Sequence, residues 1–421
     1  MTETVSLATE QQVRDDVRDW IALNWNVKLS LSEWRELLAD SGWGAPSWPA
    51  RWYGKGLPAT MNSIVEEEFF NAQVVGVTRK GANRLAAQTI LAHGTDAHKK
   101  RFLRPMLTGA ETWCQLFSEP GSGSDLAGAM TRAVRDGDRY IVNGQKVWTS
   151  MAHISDWGIL LARTDMDVPK HQGLSFFLID MRQPGIEVRP LRQMNGHASF
   201  NEVFFDNAVV NENDRLEDEG DGWRVATTTL LNERRNFDVA SKKHTGFDRQ
   251  EQIYVEEAEE IAVALAPHSW YPQREGRIDL LLPRAIERGK FGDAALRQEI
   301  ARLFVLQRCR EMASQRARAA IEAGGTPGPE GSVGKLAGAR VSRECARVHT
   351  IISGADAMLD GVDSELNGTV AEIFLSTPAN SLAGGTDEIQ KNILAERVLG
   401  MPKEPRNDVD RPFKGVPKNA L

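Results

Sequence analysis

Apolar residues recur at helical spacing through the first quarter of the chain. Val13, Val17, Ile21 and Leu23 form one stripe, and Trp34, Leu37 and Leu38 form another. Such spacing is that of a helix burying one face. Ser32 with Glu36 nearby reads as a helix start. The Gly- and Pro-rich stretch Gly42 to Pro58 interrupts the pattern, which resumes from Met61 to Ala72, Ala82 to Leu91 and Lys100 to Leu107. Near Trp113 the character changes. Tyr140 to Val142, then Asn143-Gly144, then Gln145 to Trp148 predicts a hairpin, because Asn-Gly supplies positive φ angles. Gly158 to Ala162, Leu174 to Asp180, Ile186 to Arg189 and Glu202 to Phe205 are short apolar or alternating runs bounded by turn residues, as strands are. After Gly222 the helical period returns in Trp223 to Ala240, Tyr254 to Ala266, Ala294 to Ala323, Ser332 to Ile352 and Glu388 to Leu399. Thr386 or Asp387 can cap the last of these, and Gly400 with Pro402 stops it. Gly324 to Gly331 reads as a loop.

The predicted class is therefore α+β. A helical domain spans 1 to 112, a β domain 113 to 222 and a second helical domain 223 to 400, followed by an extended tail from 401 to 421. No internal repeat is evident.

Composition narrows the function. With 421 residues, 41% of them hydrophobic, the chain can bury a large core. A net charge of −7 argues against nucleic acid or an anionic membrane as partner. The run His98 to Arg101 reads as a solvated helix face, with contact to a phosphate-bearing ligand as a second reading. Cys114, Cys309 and Cys345 are odd in number and far apart, which fits a reducing compartment without a disulfide framework. None has a metal-ligand neighbour, so no metal site is expected. The acidic N-terminus is unlike a signal peptide. No apolar run approaches the ~18 residues of a membrane span. A cytoplasmic location is expected.

Three segments carry candidate chemistry. The first is Trp113-Cys-Gln-Leu-Phe-Ser-Glu-Pro-Gly-Ser-Gly-Ser-Asp-Leu-Ala-Gly128. Its small residues let backbone approach a ligand, and its N–H groups and hydroxyls suit anionic oxygens. By chemistry alone a plain loop is the commoner reading. The second is Asn143-Gly-Gln-Lys-Val-Trp-Thr-Ser150, and the third runs from Ser381 through Gly384-Gly-Thr-Asp-Glu388 to Pro402. In this order they resemble the two flavin segments and the C-terminal signature of the acyl-CoA dehydrogenase family, over roughly residues 30 to 405.

The resemblance implies a helical N-terminal domain, a central β-barrel or sandwich and a C-terminal four-helix bundle holding FAD. By position, Ser118, Gly123 and Ser124 would line the flavin and its phosphates. Trp148 and Ser150 would contact the isoalloxazine ring. Thr386 and Glu388 would hydrogen-bond the flavin, and Arg288 of Arg288-Gly-Lys-Phe-Gly292 would reach a neighbouring subunit's flavin. The link between the first two long helices of the C-terminal domain is expanded over about 247 to 284. It carries the acidic run Glu256-Glu-Ala-Glu-Glu260, which reads as a solvated helix face or a feature of the pocket mouth.

Many relatives place their catalytic glutamate one residue before the Gly-Thr of the signature, and here that residue is Gly384. A subset places it on the first long helix of the C-terminal domain, which puts Glu233 at the base position, followed by Arg234 as a substrate contact. The plainer reading of Glu233 is a surface carboxylate paired with a nearby base. Asp387 and Glu388 are the fallback carboxylates. The resemblance implies α,β-dehydrogenation of an acyl-CoA to a trans-2-enoyl-CoA, with an electron-transfer flavoprotein as acceptor. The relatives' assembly is a dimer or a dimer of dimers, and heteromers occur. A flavin monooxygenase or oxidase on the same fold, or a partner subunit of a heteromeric dehydrogenase, are the rival readings.

Overall fold

The computed structural model describes residues 9–239, 246–322, 328–406, 408 and 410–416, with only the backbone described at 234–239, 318, 321, 322, 330 and 365. Residues 324–327 of the predicted loop Gly324 to Gly331 and the side chain of Arg234 lie outside the described residues. The chain forms two compact units: Met1–Leu191, Ser199–Pro267 and Asn407–Leu421 in the first, Arg192–Ala198 and His268–Arg406 in the second.

The first unit begins with helices α1 (Glu10–Asn24), α2 (Leu31–Ser41), α3 (Asn62–Asn71), α4 (Asn83–His93) and α5 (Asp96–Thr108). Val13, Val17 and Ile21 are buried as the stripe requires, but Leu23 is 85% exposed. Two positions beyond Ile21 is about 200° around the helix, on the opposite face. Helix α2 starts one cap earlier than predicted. Ser30 and Glu33 form its capping box, so Ser32 and Glu36 lie inside the helix. The basic run falls within α5, where buried His98 closes a capping box with Thr95 and binds the Asn213 carbonyl at 2.5 Å through Nε2.

The central sheet comprises β1 (Trp113–Leu116), β2 (Arg132–Asp136), β3 (Arg139–Ser150), β4 (Trp157–Arg163), β5 (Leu174–Asp180), β6 (Ile186–Leu191), β7 (Phe200–Asn211) and β8 (Arg215–Leu216). Their order is β6-β7-β3-β2-β4-β5-β8, with β1 parallel to β4. Strands β4 and β5 are buried on both faces. Ile159, Leu161, Phe176 and Leu178 pack with Ile90, Phe102 and Leu103 of the helices. Leu160, Ala162, Phe177 and Ile179 pack with Tyr140 and Val142 of β3 and Val203 and Phe205 of β7. Two-sided burial explains why these strands read as unbroken apolar runs.

The Asn143-Gly144 hairpin is not formed. Strand β3 runs straight through it, and the pairing with β7 shifts register between Val142 and Gly144. Gly144 takes φ +147°, and an added Cβ would lie 2.7 Å from Thr131 Cα. Asn-Gly here makes a bulge where two backbones approach closely. The β2–β3 turn lies earlier, where Gly137 has φ 66°.

Helices α6 (Gly222–Val239) and α7 (Gln252–Leu265) complete this unit. The acidic run is not a solvated face. Ile253, Glu257, Glu260 and Ala264 are buried, at i, i+4, i+7 and i+11, so the acids share the apolar face. Glu256 accepts from Leu31 N of α2 at 2.6 Å, and Glu260 binds Arg35 of α2 at 2.5 and 2.8 Å with both side chains buried. Tyr254 inserts beside Trp25 and donates to the Gln73 carbonyl at 2.7 Å.

The second unit contains α8 (Tyr271–Arg274), α9 (Ile278–Glu287), α10 (Ala294–Glu322), α11 (Glu330–Ser353), α12 (Thr369–Ser376), α13 (Ala379–Leu382) and α14 (Asp387–Arg397). Leu281 and Ala285 of α9, Ile300 and Leu303 of α10, and Val341, Val348 and Ile352 of α11 form its core. Helices α12, α13 and α14 pack along α11.

Candidate active site

Strand β1 delivers the chain into Phe117-Ser118-Glu119, and a buried ion pair holds that loop down. Lys146 of β3, fully buried, donates to Glu119 Oε1 at 2.8 Å and to the Phe117 carbonyl at 2.9 Å. Glu119 also accepts from Met130 N and Thr131 N at 2.6 and 2.9 Å. Burial pushes the Glu119 carboxyl up, but Lys146 and the two backbone donors outweigh it and hold its pKa below the usual glutamate range. Loop residues Ser118 through Thr131 are thereby tied to β3 at both ends.

The same tie brings the two predicted flavin segments together. Val147 N donates to the Ser118 carbonyl at 2.8 Å. The next residue, Trp148, sits at a second register shift between β3 and β7, with φ 64° and 55% of its surface exposed. A large aromatic residue in the left-handed region, turned outward from a bulge, is a strained arrangement of the kind found at ligand sites. Phe200 meets its ring edge-on at 5.8 Å. Ser150 is half-buried, two residues further along β3. Gly123 and Ser124 are exposed. A Cβ on Gly123 would meet nothing within 4 Å, and its φ is outside the left-handed region. Neither conformation nor internal packing requires glycine there; close approach of a ligand would.

Glu233 lies on α6, half-buried. Gln115 of β1 donates from Nε2 to Glu233 Oε2 at 3.3 Å, only three residues before Ser118. Helix α6 is held against α4 by the buried contact of Thr89 and Thr229 hydroxyls at 3.0 Å, and by His93, which bridges Thr228 and Glu217 at 2.8 Å each. Sequence reasoning missed Gln115, whose partner Glu233 lies on a distant helix. It also missed Lys146 and Glu119, charged residues inside apolar segments.

In the second unit, Thr386 caps α14, accepting from Ile389 N at 3.3 Å. Gly384 and Gly385 have φ 66° and 89°, and Gln390 Nε2 donates to the Gly384 carbonyl at 3.1 Å. A glutamate at 384 would be forced into the left-handed region. Burial pushes the Asp387 carboxyl up, but Arg343 at 2.9 Å, Ser381 and Lys335 outweigh it and hold its pKa below the usual range, which makes it a poor base. Glu388 is exposed and faces Lys391 at 3.9 Å. Arg288 follows α9 and donates to the Ser353 carbonyl at 3.0 Å and to Asp356 at 2.6 Å. Arg343 and Ser353 are separated by about 15 Å along α11, so the structure does not bring Arg288 to Thr386 and Glu388. No group of three or more possible metal-ligating side chains clusters among the described residues. No described helix is long and apolar enough to cross a membrane.

The chain is thus α+β, helical then β then helical, with its glycine-serine loop tied to the strand that carries an outward tryptophan. Family models for the N-terminal, middle and C-terminal domains of acyl-CoA dehydrogenases match residues 1–110, 114–208 and 273–399. The chain belongs to the acyl-CoA dehydrogenase family. It is 35% identical to acyl-CoA dehydrogenase IpdE1 of Mycobacterium tuberculosis, over 88% of each chain. To acyl-CoA dehydrogenase FadE34 of the same organism it is 38% identical, over 87% of this chain but 46% of that protein, so it spans about half that relative's length. Among solved structures, the Tcur3481-Tcur3483 steroid ACAD aligns with a TM-score of 0.64 at 22% identity, over 96% of this chain and 100% of that one. The ChsE4-ChsE5 complex of M. tuberculosis aligns with a TM-score of 0.59 at 23% identity, over 96% and 100%. At these identities the alignments establish the fold.

Proposed function

We propose that the chain is an FAD-dependent acyl-CoA dehydrogenase that converts an acyl-CoA thioester to a trans-2-enoyl-CoA, with Glu233 as the base. The observation that carries this reading is the chain of contacts Glu233–Gln115, then Ser118–Val147, which gathers the carboxylate, the glycine-serine loop and Trp148 around one end of β1. The fit to FAD rests on the outward Trp148 at its bulge and the open space over Gly123. Ser118, Gly123, Ser124, Trp148 and Ser150 would hold the cofactor from the first unit. In the second unit, Thr386 and Glu388 would hydrogen-bond a flavin at the N-terminus of α14, where backbone N–H groups favour anionic or carbonyl oxygens. Arg288, engaged by Ser353 and Asp356, would serve a neighbouring subunit.

Bound FAD supplies an acceptor for hydride from the substrate β-carbon. The chain's own task is the α-proton. A thioester α-proton is weakly acidic, so its removal needs a base positioned within hydrogen-bond reach. Glu233 provides one, oriented by the Gln115 amide through Oε2. Arg234 would meet the substrate. Electrons would then pass to an electron-transfer flavoprotein. Flavin monooxygenases and oxidases on this fold often lack both glutamates, so Glu233 counts against that rival.

Oligomerisation belongs to the same proposal. Met358, Val362, Phe374 and Leu382 of the second unit are 88%, 91%, 58% and 65% exposed. Large apolar side chains exposed in this way suit a surface for a partner chain. A homodimer or dimer of dimers, or a heteromer with a second homologous chain, would cover it.

The test is anaerobic titration of the purified flavoprotein with a panel of acyl-CoA thioesters. Bleaching of the oxidised flavin band by at least one saturated thioester, with formation of its 2-enoyl product, is expected. Absence of bleaching across linear, branched and polycyclic acyl groups, together with rapid oxygen consumption by the reduced protein, would favour the oxidase reading.

A further inference from the structure

The tail of the chain returns to the β domain and closes over the two cations that shape the glycine-serine loop. Residues Phe413–Gly415 form a single helical turn. Phe413 N donates to the Val168 carbonyl at 2.9 Å and Lys414 N to the Met166 carbonyl at 3.0 Å. Phe413 is only 3% exposed, and its ring centroid lies 3.5 Å from the Arg163 guanidinium carbon. Lys414 pairs with Asp167.

Arg163, itself buried, donates to the Ala129 carbonyl at 2.9 Å, the Ala127 carbonyl at 2.6 Å and the Lys170 carbonyl at 2.9 Å. Lys170, also buried, donates to both carboxylate oxygens of Asp125 at 2.9 and 3.0 Å. It also pairs with Asp408 of the tail at 2.5 Å. Ala127, Ala129 and Asp125 all belong to the glycine-serine loop. Two tail residues therefore press on two cations, and each cation grips that loop.

We propose that Asp408 and residues 410–416 act as a strap that sets the conformation of the loop Gly121–Ala129. Phe413 acts through Arg163 and Asp408 through Lys170, both as positioning residues for the cofactor's anionic groups. The ring of Phe413 covers one face of the guanidinium. Excluding water there strengthens the three hydrogen bonds to loop and neighbouring carbonyls. Asp408 gives the buried ammonium a second anionic partner besides Asp125, which favours the position in which Lys170 grips the loop. The anchors lie far from the loop in sequence and would be invisible to a reading of the loop alone. The affinity part of this inference rests on the FAD reading above; the loop-ordering part does not.

The test uses the full chain with Phe413→Ala, Asp408→Asn and the conservative Phe413→Tyr. Amide hydrogen exchange is measured on the flavin-free protein, and FAD dissociation on the same samples by flavin fluorescence. In Phe413→Ala, exchange of amides 121–131 is expected to accelerate at least about tenfold while amides of β4 and β5 stay protected. A desolvated cation–π contact of this kind corresponds to a rise of roughly 10- to 30-fold in the FAD dissociation constant. Asp408→Asn shows the same pattern more weakly, and Phe413→Tyr restores wild-type behaviour. Unchanged exchange in the loop, or exchange raised equally through β4 and β5, overturns the strap. Should Phe413→Ala not fold, Asp408→Asn decides by the same two readouts. Wild-type protein that binds no FAD would defeat the flavin reading, while the loop exchange would still decide the strap.

Discussion

At Trp148 the backbone pays a conformational cost that packing does not return. A non-glycine residue in the left-handed region costs about 1–2 kcal/mol, and here the side chain is turned largely to solvent. Glycine would relieve that strain but lose about 0.5–1 kcal/mol through the freer unfolded chain. Trp148→Gly is therefore expected to change unfolding free energy by less than about 1 kcal/mol, read by denaturant melts, while clearly weakening FAD retention. A large stability loss would mean that Trp148 serves the core instead. Glu119 makes the opposite case. Removing its charge strands buried Lys146, at a cost of about 3–5 kcal/mol. Its pKa in the folded protein is depressed, so its contribution is fully present above the ordinary glutamate value of about 4.3. That contribution is lost as pH falls through the folded value. Wild-type stability should therefore drop steeply on acidification below that range, and the drop should be much shallower in Glu119→Gln paired with Lys146→Met.

Among the elements, α7 is the addition that most departs from a simple reading. Its acids dock it on α2 instead of facing water, and Glu260 with Arg35 makes the central contact. Glu257 behaves differently from its neighbours. It is buried, its Oε2 lacks a hydrogen-bond partner, and burial raises its pKa despite Arg35 and Arg79. A raised folded pKa means that ionisation opposes folding. The cost is absent below the unfolded value, about 4.3, and grows as pH rises through the folded value. Glu257→Gln is expected to stabilise the protein at neutral pH and to lose that advantage in acid; equal stability at both pH values would contradict this. Helix and strand periods were legible along most of the chain, because burial follows 3.6- and 2-residue repeats wherever one face is apolar. What escaped were features set by distant partners. The face of α7 is decided by Arg35, the bulge at Gly144 by Thr131, and the cap of α2 by Ser30 with Glu33 rather than Ser32 with Glu36. For the candidate site, the loop, Trp148 and Glu233 could be named from the chain. Gln115, Lys146 and the tail anchors could not, since their roles exist only once β1, β3 and the tail are brought together.

For the whole molecule, the apolar side chains exposed on the second unit predict assembly. Light scattering on the purified chain is expected to give a dimer or larger species, either alone or with a second homologous chain. A monodisperse monomer at micromolar concentration that still turns over substrate would contradict the oligomer. The central claim concerns chemistry, and Glu233 carries it. Placing the base on α6 accounts for Gly384 in the C-terminal signature, where a glutamate would be strained, and for the contact with Gln115 beside the loop. The most direct measurement is anaerobic stopped-flow mixing of wild-type and Glu233→Gln protein with an acyl-CoA that bleaches the wild-type flavin. Loss of a positioned general base predicts a fall of about 100- to 10,000-fold in the bleaching rate, with flavin content and melting temperature unchanged. Bleaching of the variant at the wild-type rate would contradict the account.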